Sequence, residues 1–518
     1  MSRFRRGVWF GRGVAARLHY AAIGFLLNVG SVTMNEQPAK STIARHKTAI
    51  KRQSFSLPVK CMLRDGLLDT DRTFFDYGCG HGQDLAMLSD MSIETAGWDP
   101  VHRPNGERQS ADVVNLGYVI NVIEDPQERQ EVLRKAWDLC NRVLTVAAQV
   151  EFAAPDKVQA VHGDGILTSR GTFQKYYNQY ELRDLLQTVL ETDALSAAPG
   201  VFYIFKDEEA KQQFVANKYH RRLTVPKRRM SEVLFEQNKD VLEPFMVALT
   251  RYGRIPGPEE LAESAAIEER FGSLIKAYRL VQKVTDEEPW KQIAQRRTED
   301  LLVYLALARF RRRPPIVKLP LTIQRDIKAF LGSYPAACEK ADELLFQAGN
   351  AKAIDTACQR SAVGQLVDNA MTVHESALDS LEPLLRIYEG CARALVGSIE
   401  GSNLIKLHRF SGKVSYLSYP DFDEKPHPSL ALRVKVSLRS LKIEYFNYSE
   451  WEDPPILFRK EEFLHDEYPK RKLFEKMSRQ EAKLGLLPTA GSRCSRSEFD
   501  LLLQKNGVQL RGHQIRKR

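Results

Sequence analysis

The chain has 518 residues, 43% apolar and 27% charged, with a formal net charge of +10. Its length exceeds what one hydrophobic core holds and predicts about three domains, while its composition excludes a disordered or collagen-like chain. No uninterrupted apolar run spans a bilayer, since the longest, Ala21 to Val32, is short and carries Asn28.

The first 33 residues hold five arginines (Arg3, Arg5, Arg6, Arg12 and Arg17) and no acid, so half of the net charge lies there. Residues 1–40 read as an extension outside the fold, with Met34 as the expected initiator. An Arg-rich targeting peptide is the alternative, although no small-x-small cleavage pattern follows. A basic surface attracts phosphates whatever their sequence, but the excess left after this segment is modest.

Between 41 and 208, short β-prone runs alternate with helical patterns. The runs are Thr73 to Tyr77, Ile93 to Trp98, Asp112 to Ile123, Arg142 to Val150 and Val201 to Phe205. Helices are expected over Gln83 to Asp90, Pro126 to Cys140 and Leu182 to Leu190. Such alternation predicts a parallel sheet with right-handed crossovers, a Rossmann-like α/β domain. From 209 to 400 the pattern is helical, with Leu301 to Ala308 apolar all round and stopped by Pro314 and Pro315. From 401 to 518 an α+β region is expected: strands within Val414 to Tyr419, Leu430 to Leu438 and Leu441 to Tyr448, two polar helices, and a basic tail from Arg511 to Arg518. Seven scattered cysteines with no C-x-x-C indicate neither a metal site nor a disulfide framework and suit a reducing cytoplasm.

Chemistry concentrates in Asp76-Tyr77-Gly78-Cys79-Gly80-His81-Gly82, between a strand and a helix. Glycines there let the backbone approach a ligand where a Cβ would clash. The dinucleotide pattern is G-x-G-x-x-G, whereas glycines at 78, 80 and 82, with an acid two residues before the first, have the methyltransferase spacing. Asp76, Tyr77, Gly78, Gly80 and Gly82 are therefore the candidates to hold the methionyl half of S-adenosylmethionine. Asp99, with Pro100 after it, ends the next strand, where a carboxylate can accept both ribose hydroxyls. Asn115 and Leu116 lie on the following strand, and Tyr118 and Asn121 lie just past it, facing the methyl group as candidate catalytic residues. Only a short connection, Pro100 to Ala111, separates Asp99 from Asp112, too few residues for the usual helix and third strand.

With these motifs in place, the chain resembles the DNA phosphorothioation-associated methyltransferases of bacteria. The matching stretches are Ile43 to Ile50, the Gly-rich turn, Gly97 to Pro104, Ala111 to Pro126, Arg309 to Pro315 and Ser415 to Asp423. The resemblance covers everything after Thr42. It implies an S-adenosylmethionine-dependent activity, with DNA as a candidate acceptor and phosphorothioation-system proteins as candidate partners. It leaves open a non-catalytic DNA-binding accessory protein that keeps the fold.

Three further groups invite a reading. Arg45, His46, Lys47, Lys51 and Arg52 precede the first strand and form either a lid or a solvated basic face. Lys218 to Arg222 and Lys227 to Arg229 form the densest basic cluster, suited either to nucleic-acid backbone contacts or to a charged linker. His162, Asp164, Thr168, Gly171, Thr172 and Phe173 follow the fourth strand and could wall the acceptor site. Asp453-Pro454-Pro455-Ile456 resembles a D-P-P-aromatic motif of DNA amino-methyltransferases but reads as a turn, since Ile cannot stack on a flipped base.

Overall fold

The computed structural model describes residues 43–49, 52–151, 160–227, 233–489 and 491–517. The expected N-terminal extension and Met34 lie outside them, as do Lys51, Arg228, Arg229 and the side chain of His46.

Helix α1 (Leu57–Arg64) leads into β1 (Phe74–Tyr77), α2 (Gln83–Asp90), β2 (Thr95–Trp98), β3 (Ala111–Gly117), α3 (Pro126–Asp138) and β4 (Cys140–Ala147). A small antiparallel insert follows, made of β5 (Ala160–His162), β6 (Gly165–Leu167) and β7 (Phe173–Gln174). The unit closes with α4 (Gln179–Leu190), β8 (Ala194–Ala198), β9 (Val201–Phe205) and α5 (Glu208–Tyr219). Local chemistry sets the boundaries. The Asp125 carboxylate accepts from the Gln127 amide at 2.8 Å and Pro126 follows, starting α3. A capping box between Asn178 and Glu181 starts α4.

The strands order as β2-β1-β3-β4-β9-β8. The first four are parallel, and β9 and β8 each run antiparallel to their neighbour. This is the expected doubly wound α/β sheet. The short Pro100 to Ala111 connection adds no strand beyond β2, which therefore forms the edge. One expected strand is shorter than its apolar run: β3 stops at Gly117 rather than Ile123, because Tyr118 takes φ +61° and turns the chain out of the sheet.

The chain from α6 to α13 is helical: α6 (Val233–Gln237), α7 (Lys239–Tyr252), α8 (Ser264–Phe271), α9 (Leu274–Thr285), α10 (Glu288–Ala308), α11 (Leu321–Leu331), α12 (Tyr334–Gln347) and α13 (Ala351–Arg360). A second sheet then starts earlier than the sequence pattern indicates. Strands β10 (Gln365–Val367) and β11 (Ala370–His374) precede α14 (Pro383–Val396), and β12 (Ser402–His408), β13 (Lys413–Ser418), β14 (Leu432–Ser437) and β15 (Ile443–Asn447) follow it. All six pair antiparallel in sequence order. Helices α15 (Arg471–Lys483) and α16 (Arg496–Lys505) come last before a terminal hairpin. Among the described residues no helix is long and apolar enough to cross a membrane.

Helices α3 and α4 cover one face of the first sheet, packing Leu133, Leu182 and Leu186 on Val114, Leu144 and Phe202. The opposite face does not end in its own helical layer. Its core runs from Val59, Phe74 and Val143 through Leu305 and Tyr388 to Val414 and Val434 of the second sheet. At this seam a Cβ on Gly397 would stand 2.6 Å from the Ala198 nitrogen, so the approach requires glycine.

The basic cluster after α5 turns inward at its centre. Arg221 is buried and donates to Asp300 at 2.6 Å and to Glu299 at 2.9 Å. Arg386 of α14 and Arg297 of α10 reach the same Asp300 at 2.8 and 3.3 Å. Arg221 is thus an internal tie rather than a nucleic-acid contact, because its guanidinium is consumed by carboxylates of α10.

Candidate active site

After β1 the chain moves to one side of that strand, and after β2 it crosses to β3 on the other. Ligands of doubly wound sheets bind in the crevice at such a reversal, outside the carboxyl ends of the strands. Here a cavity of about 950 Å³ lies at that place. Its walls come from the ends of β1, β2 and β3, residues 45, 47–49 and 52, and the β6–β7 turn.

Gly78, Gly80 and Gly82 hold φ of +87°, +53° and +78°. At Gly78 a Cβ would also fall 2.4 Å from Val119 Cγ2, so side chains are excluded on two counts. The amides of Gly78 and Cys79 both donate to the Trp98 carbonyl, at 2.7 and 3.1 Å, fixing the turn against β2. Gly78 and Gly80 line the cavity. Gly82 does not; it stands at the start of α2 under the Arg103 guanidinium.

Asp76 is buried at the cavity floor and accepts from Asn115 Nδ2 at 2.8 Å. Burial pushes its carboxyl up to about 7, against the lowering effect of that hydrogen bond and with smaller raising contributions from Asp84 and Asp99. The Oδ1 atoms of Asn115 and Asn121 and the Ser56 hydroxyl are buried without a hydrogen-bond partner, and all three residues line the cavity. Each orphaned acceptor costs about 1–3 kcal/mol, so the floor is suited to a ligand rich in N–H and O–H donors.

Tyr118 and Asn121 both line the cavity. Tyr118 pays for its place with a left-handed backbone, which is strained for an aromatic residue. The Arg52 guanidinium lies 5.6 Å from its ring centroid, and burial raises its phenol further from ionisation. Tyr77 and Pro100 line the cavity too. Leu116 does not: it is fully buried in the core beneath α3 and α4.

Asp99 differs from its expected role. Its carboxylate already accepts from the amides of Val101 at 2.9 Å, His102 at 2.8 Å and Gly80 at 3.1 Å. A carboxylate has about four acceptor positions, so Asp99 has room for one further donor, on Oδ2, rather than for two ribose hydroxyls.

The segment before β1 crosses the cavity instead of standing free. Arg45 makes a two-pronged pair with Glu128 at 2.6 and 2.7 Å and bonds Glu124 at 2.9 Å, while the Ala44 amide donates to the Gly171 carbonyl. Of the expected acceptor wall, Thr168 and Thr172 line the cavity, their hydroxyls 2.6 Å apart. Asp164 is instead held by Arg129 at 2.6 Å and Lys175 at 2.8 Å, which keep its carboxyl well below the usual range. Phe173 is buried, and His162 is exposed against its ring. Asp453 lies in a bend remote from the cavity, where it accepts from the Ser497 amide at the start of α16.

Sequence reasoning missed several lining residues. His81 and His102 stack with ring centroids 4.2 Å apart, and the Arg108 guanidinium lies 4.6 Å from the Trp98 ring centroid. Trp98 and His102 flank Asp99 and could have been picked out as aromatic neighbours of a strand-end acid. Arg108 and Arg170 carry no such signal.

No protein-family model and no curated protein matches the chain. Among solved structures it is similar to a 1,6-didemethyltoxoflavin N1-methyltransferase from Burkholderia thailandensis with bound S-adenosylhomocysteine (13% identity, 32% of this chain and 80% of that one, TM-score 0.22). It is similar also to a sugar N-methyltransferase from Streptoalloteichus (12%, 35% and 98%, 0.22). A third is a SAM-dependent methyltransferase from Aquifex aeolicus (15%, 29% and 88%, 0.20). At such values the chemistry has to be read from the site's own residues.

Proposed function

We propose that the protein is an S-adenosylmethionine-dependent methyltransferase whose acceptor is DNA or another nucleic acid, acting in the setting of bacterial DNA phosphorothioation. The observation that carries the cofactor is the floor of the cavity. A buried carboxyl and one orphaned carboxamide oxygen, Asn115 Oδ1, lie beside a turn that only glycines can form. The methionyl ammonium and ribose hydroxyls are donors matched to those acceptors. When bound, S-adenosylmethionine supplies an electrophilic methyl group.

In this reading Asp76 ionises to hold the ammonium, Gly78 and Gly80 admit the methionyl backbone, and Asp99 Oδ2 takes one ribose hydroxyl. Asn121 offers its free oxygen to the N–H or O–H of the acceptor beside Tyr118. Alignment and exclusion of water would supply the rate, and the proton that the acceptor loses on methylation would pass to solvent as the product leaves, since neither Asn121 nor Tyr118 is a base. The nucleic-acid acceptor is supported by the sequence resemblance and by Lys47, Arg52, Arg108 and Arg170 around the cavity.

A second reading keeps the fold in a non-catalytic accessory protein. The engagement of Asp99 by three backbone amides favours it. Calorimetry with S-adenosylmethionine and S-adenosylhomocysteine, followed by label transfer to host DNA and to phosphorothioated DNA, separates the two. Binding with transfer is the expected result. Binding without transfer selects the accessory protein, and no binding by folded protein removes the methyltransferase and leaves the accessory protein in first place.

A further inference from the structure

The second sheet has one apolar and one basic face. Val373, Ile405, Leu407, Val414, Val434 and Val436 point into the shared core. On the opposite face the register places Thr372 across from Lys406, Lys406 from Ser415, and Ser415 from Lys435, with Arg433 in the adjoining row across from Phe446. Residues 455–463, 488–489 and 491–493 cover one end of this face and leave a second cavity of about 180 Å³.

Four cations line it: Lys406, Arg433, Arg459 and Arg493. Among the described residues no carboxylate forms an ion pair with Lys406, Arg433 or Arg493, and Arg459 meets Glu462 only at 3.5 Å. The Nε atoms of Arg433 and Arg459 are buried without a hydrogen-bond partner. Guanidinium N–H groups shielded from water and lacking an acceptor are costly, and an oxyanion is the ligand whose geometry they fit. The field is felt nearby: burial, then Lys406, Arg433, Lys413 and Lys435, push His408 down to about 4. Aromatic surface flanks the charge. The Arg433 guanidinium lies 5.6 Å from the Phe446 ring, and Tyr448, at the cavity wall, packs against the exposed Trp451 at 4.7 Å.

We propose that this cavity seats a phosphate group carried by a nucleotide or by a single nucleic-acid strand, with Arg433, Arg459, Arg493 and Lys406 as its donors and Phe446 and Trp451 as platforms for a neighbouring base. Arg433 and Arg459 keep only long contacts, the first to Ser415 at 3.4 Å and the second to Glu462 and Pro488 at 3.5 Å. Cations so weakly engaged beside aromatic rings are the combination that holds single strands, where charge tracks the backbone and rings stack on bases. The site stands apart from the cofactor cavity and does not depend on it.

The test uses the full chain with excess S-adenosylhomocysteine. The probes are inorganic phosphate and adenosine monophosphate by calorimetry, and a labelled single-stranded ten-nucleotide oligomer by fluorescence anisotropy. The variants are Arg433→Gln, Arg493→Gln and the double variant; Arg493 is exposed, so its replacement leaves the core intact. Each single variant should weaken the oligomer roughly tenfold or more and reduce the salt slope by about one. Affinity for S-adenosylhomocysteine should stay unchanged in all three variants. Oligomer bound far more tightly than either small probe identifies a strand, while equal affinities identify the free anion, and both support the phosphate site. Wild-type affinity and salt slope in the double variant, or no binding of any probe by wild-type protein, would overturn it.

Discussion

Asp76 and Asn115 are register partners on neighbouring parallel strands, and the Asn115 amide donates to the Asp76 carboxylate at 2.8 Å. The pair makes the cavity floor sensitive to pH. Asp76 titrates near 7 when buried, above its value in the unfolded chain, so the folded state holds the proton more tightly between those limits. Stability of the free protein should therefore fall as pH rises from the ordinary carboxylate range through about 7 and then level off. Affinity for a ligand bearing an ammonium should run the other way, rising to a plateau just above that pH. Calorimetry of S-adenosylhomocysteine from pH 5.5 to 8.5 checks this, and Asp76→Asn should flatten the profile. A flat profile in the wild type would remove Asp76 from the ligand's contacts.

Gly78 and Gly82 should respond differently to alanine. At Gly78 the new Cβ meets Val119 as well as an unfavourable φ, while at Gly82 it meets only a flexible arginine side chain. Gly82→Ala should cost about 1 kcal/mol, and Gly78→Ala about 2–4 kcal/mol together with loss of cofactor affinity. Adding Val119→Ala to Gly78→Ala should restore the steric part alone, which thermal melting of the double variant would reveal.

Asp300 is the common acceptor of Arg221, Arg297 and Arg386. Asp300→Ala removes the shared carboxylate of three buried guanidinium groups, of which, among the described residues, Arg221 alone keeps a second carboxylate, Glu299. The change should destabilise the protein by about 3–5 kcal/mol. Asp300→Asn, which keeps the acceptor oxygen, should lose less. Urea unfolding of both variants measures the difference, and equal losses would show that charge, not hydrogen bonding, sets the strength of the tie.

Asn121→Ala should lower turnover by tenfold or more, for about 1–3 kcal/mol of lost orientation, while leaving S-adenosylhomocysteine affinity within twofold. Single-turnover label transfer beside calorimetry makes that split visible. Equal losses in both would place Asn121 against the cofactor rather than the acceptor.

Much of the first sheet could be read from the residues. Four of the five β-prone runs stop at a glycine or an acid, and α2 and β9 fall where the patterns indicated. What escaped has local causes. Ala194–Ala198 is a strand built of small residues with little β preference, held by its hairpin partner rather than by propensity. β10 and β11 are brief and surrounded by helical sequence, and they exist because β12 pairs with β11 from 30 residues onward and β11 in turn pairs with β10. The cofactor motif was visible because glycine spacing reports backbone geometry directly. The engagement of Asp99 was not, since it depends on where two amides of the following turn and the Gly80 amide point. Arg221 looked like part of a surface patch because its acceptor, Asp300, lies in a helix far along the chain.

The common core beneath both sheets makes the chain indivisible. Cutting after α5 would leave α5 and β8 facing water where α10 and α14 now lie, so a fragment carrying the whole glycine motif would aggregate before it could bind anything. The same packing ties the history of the two halves: a substitution at Leu307 or Gly397 is felt at both sheets, so neither half can be exchanged for a foreign module without rebuilding the seam.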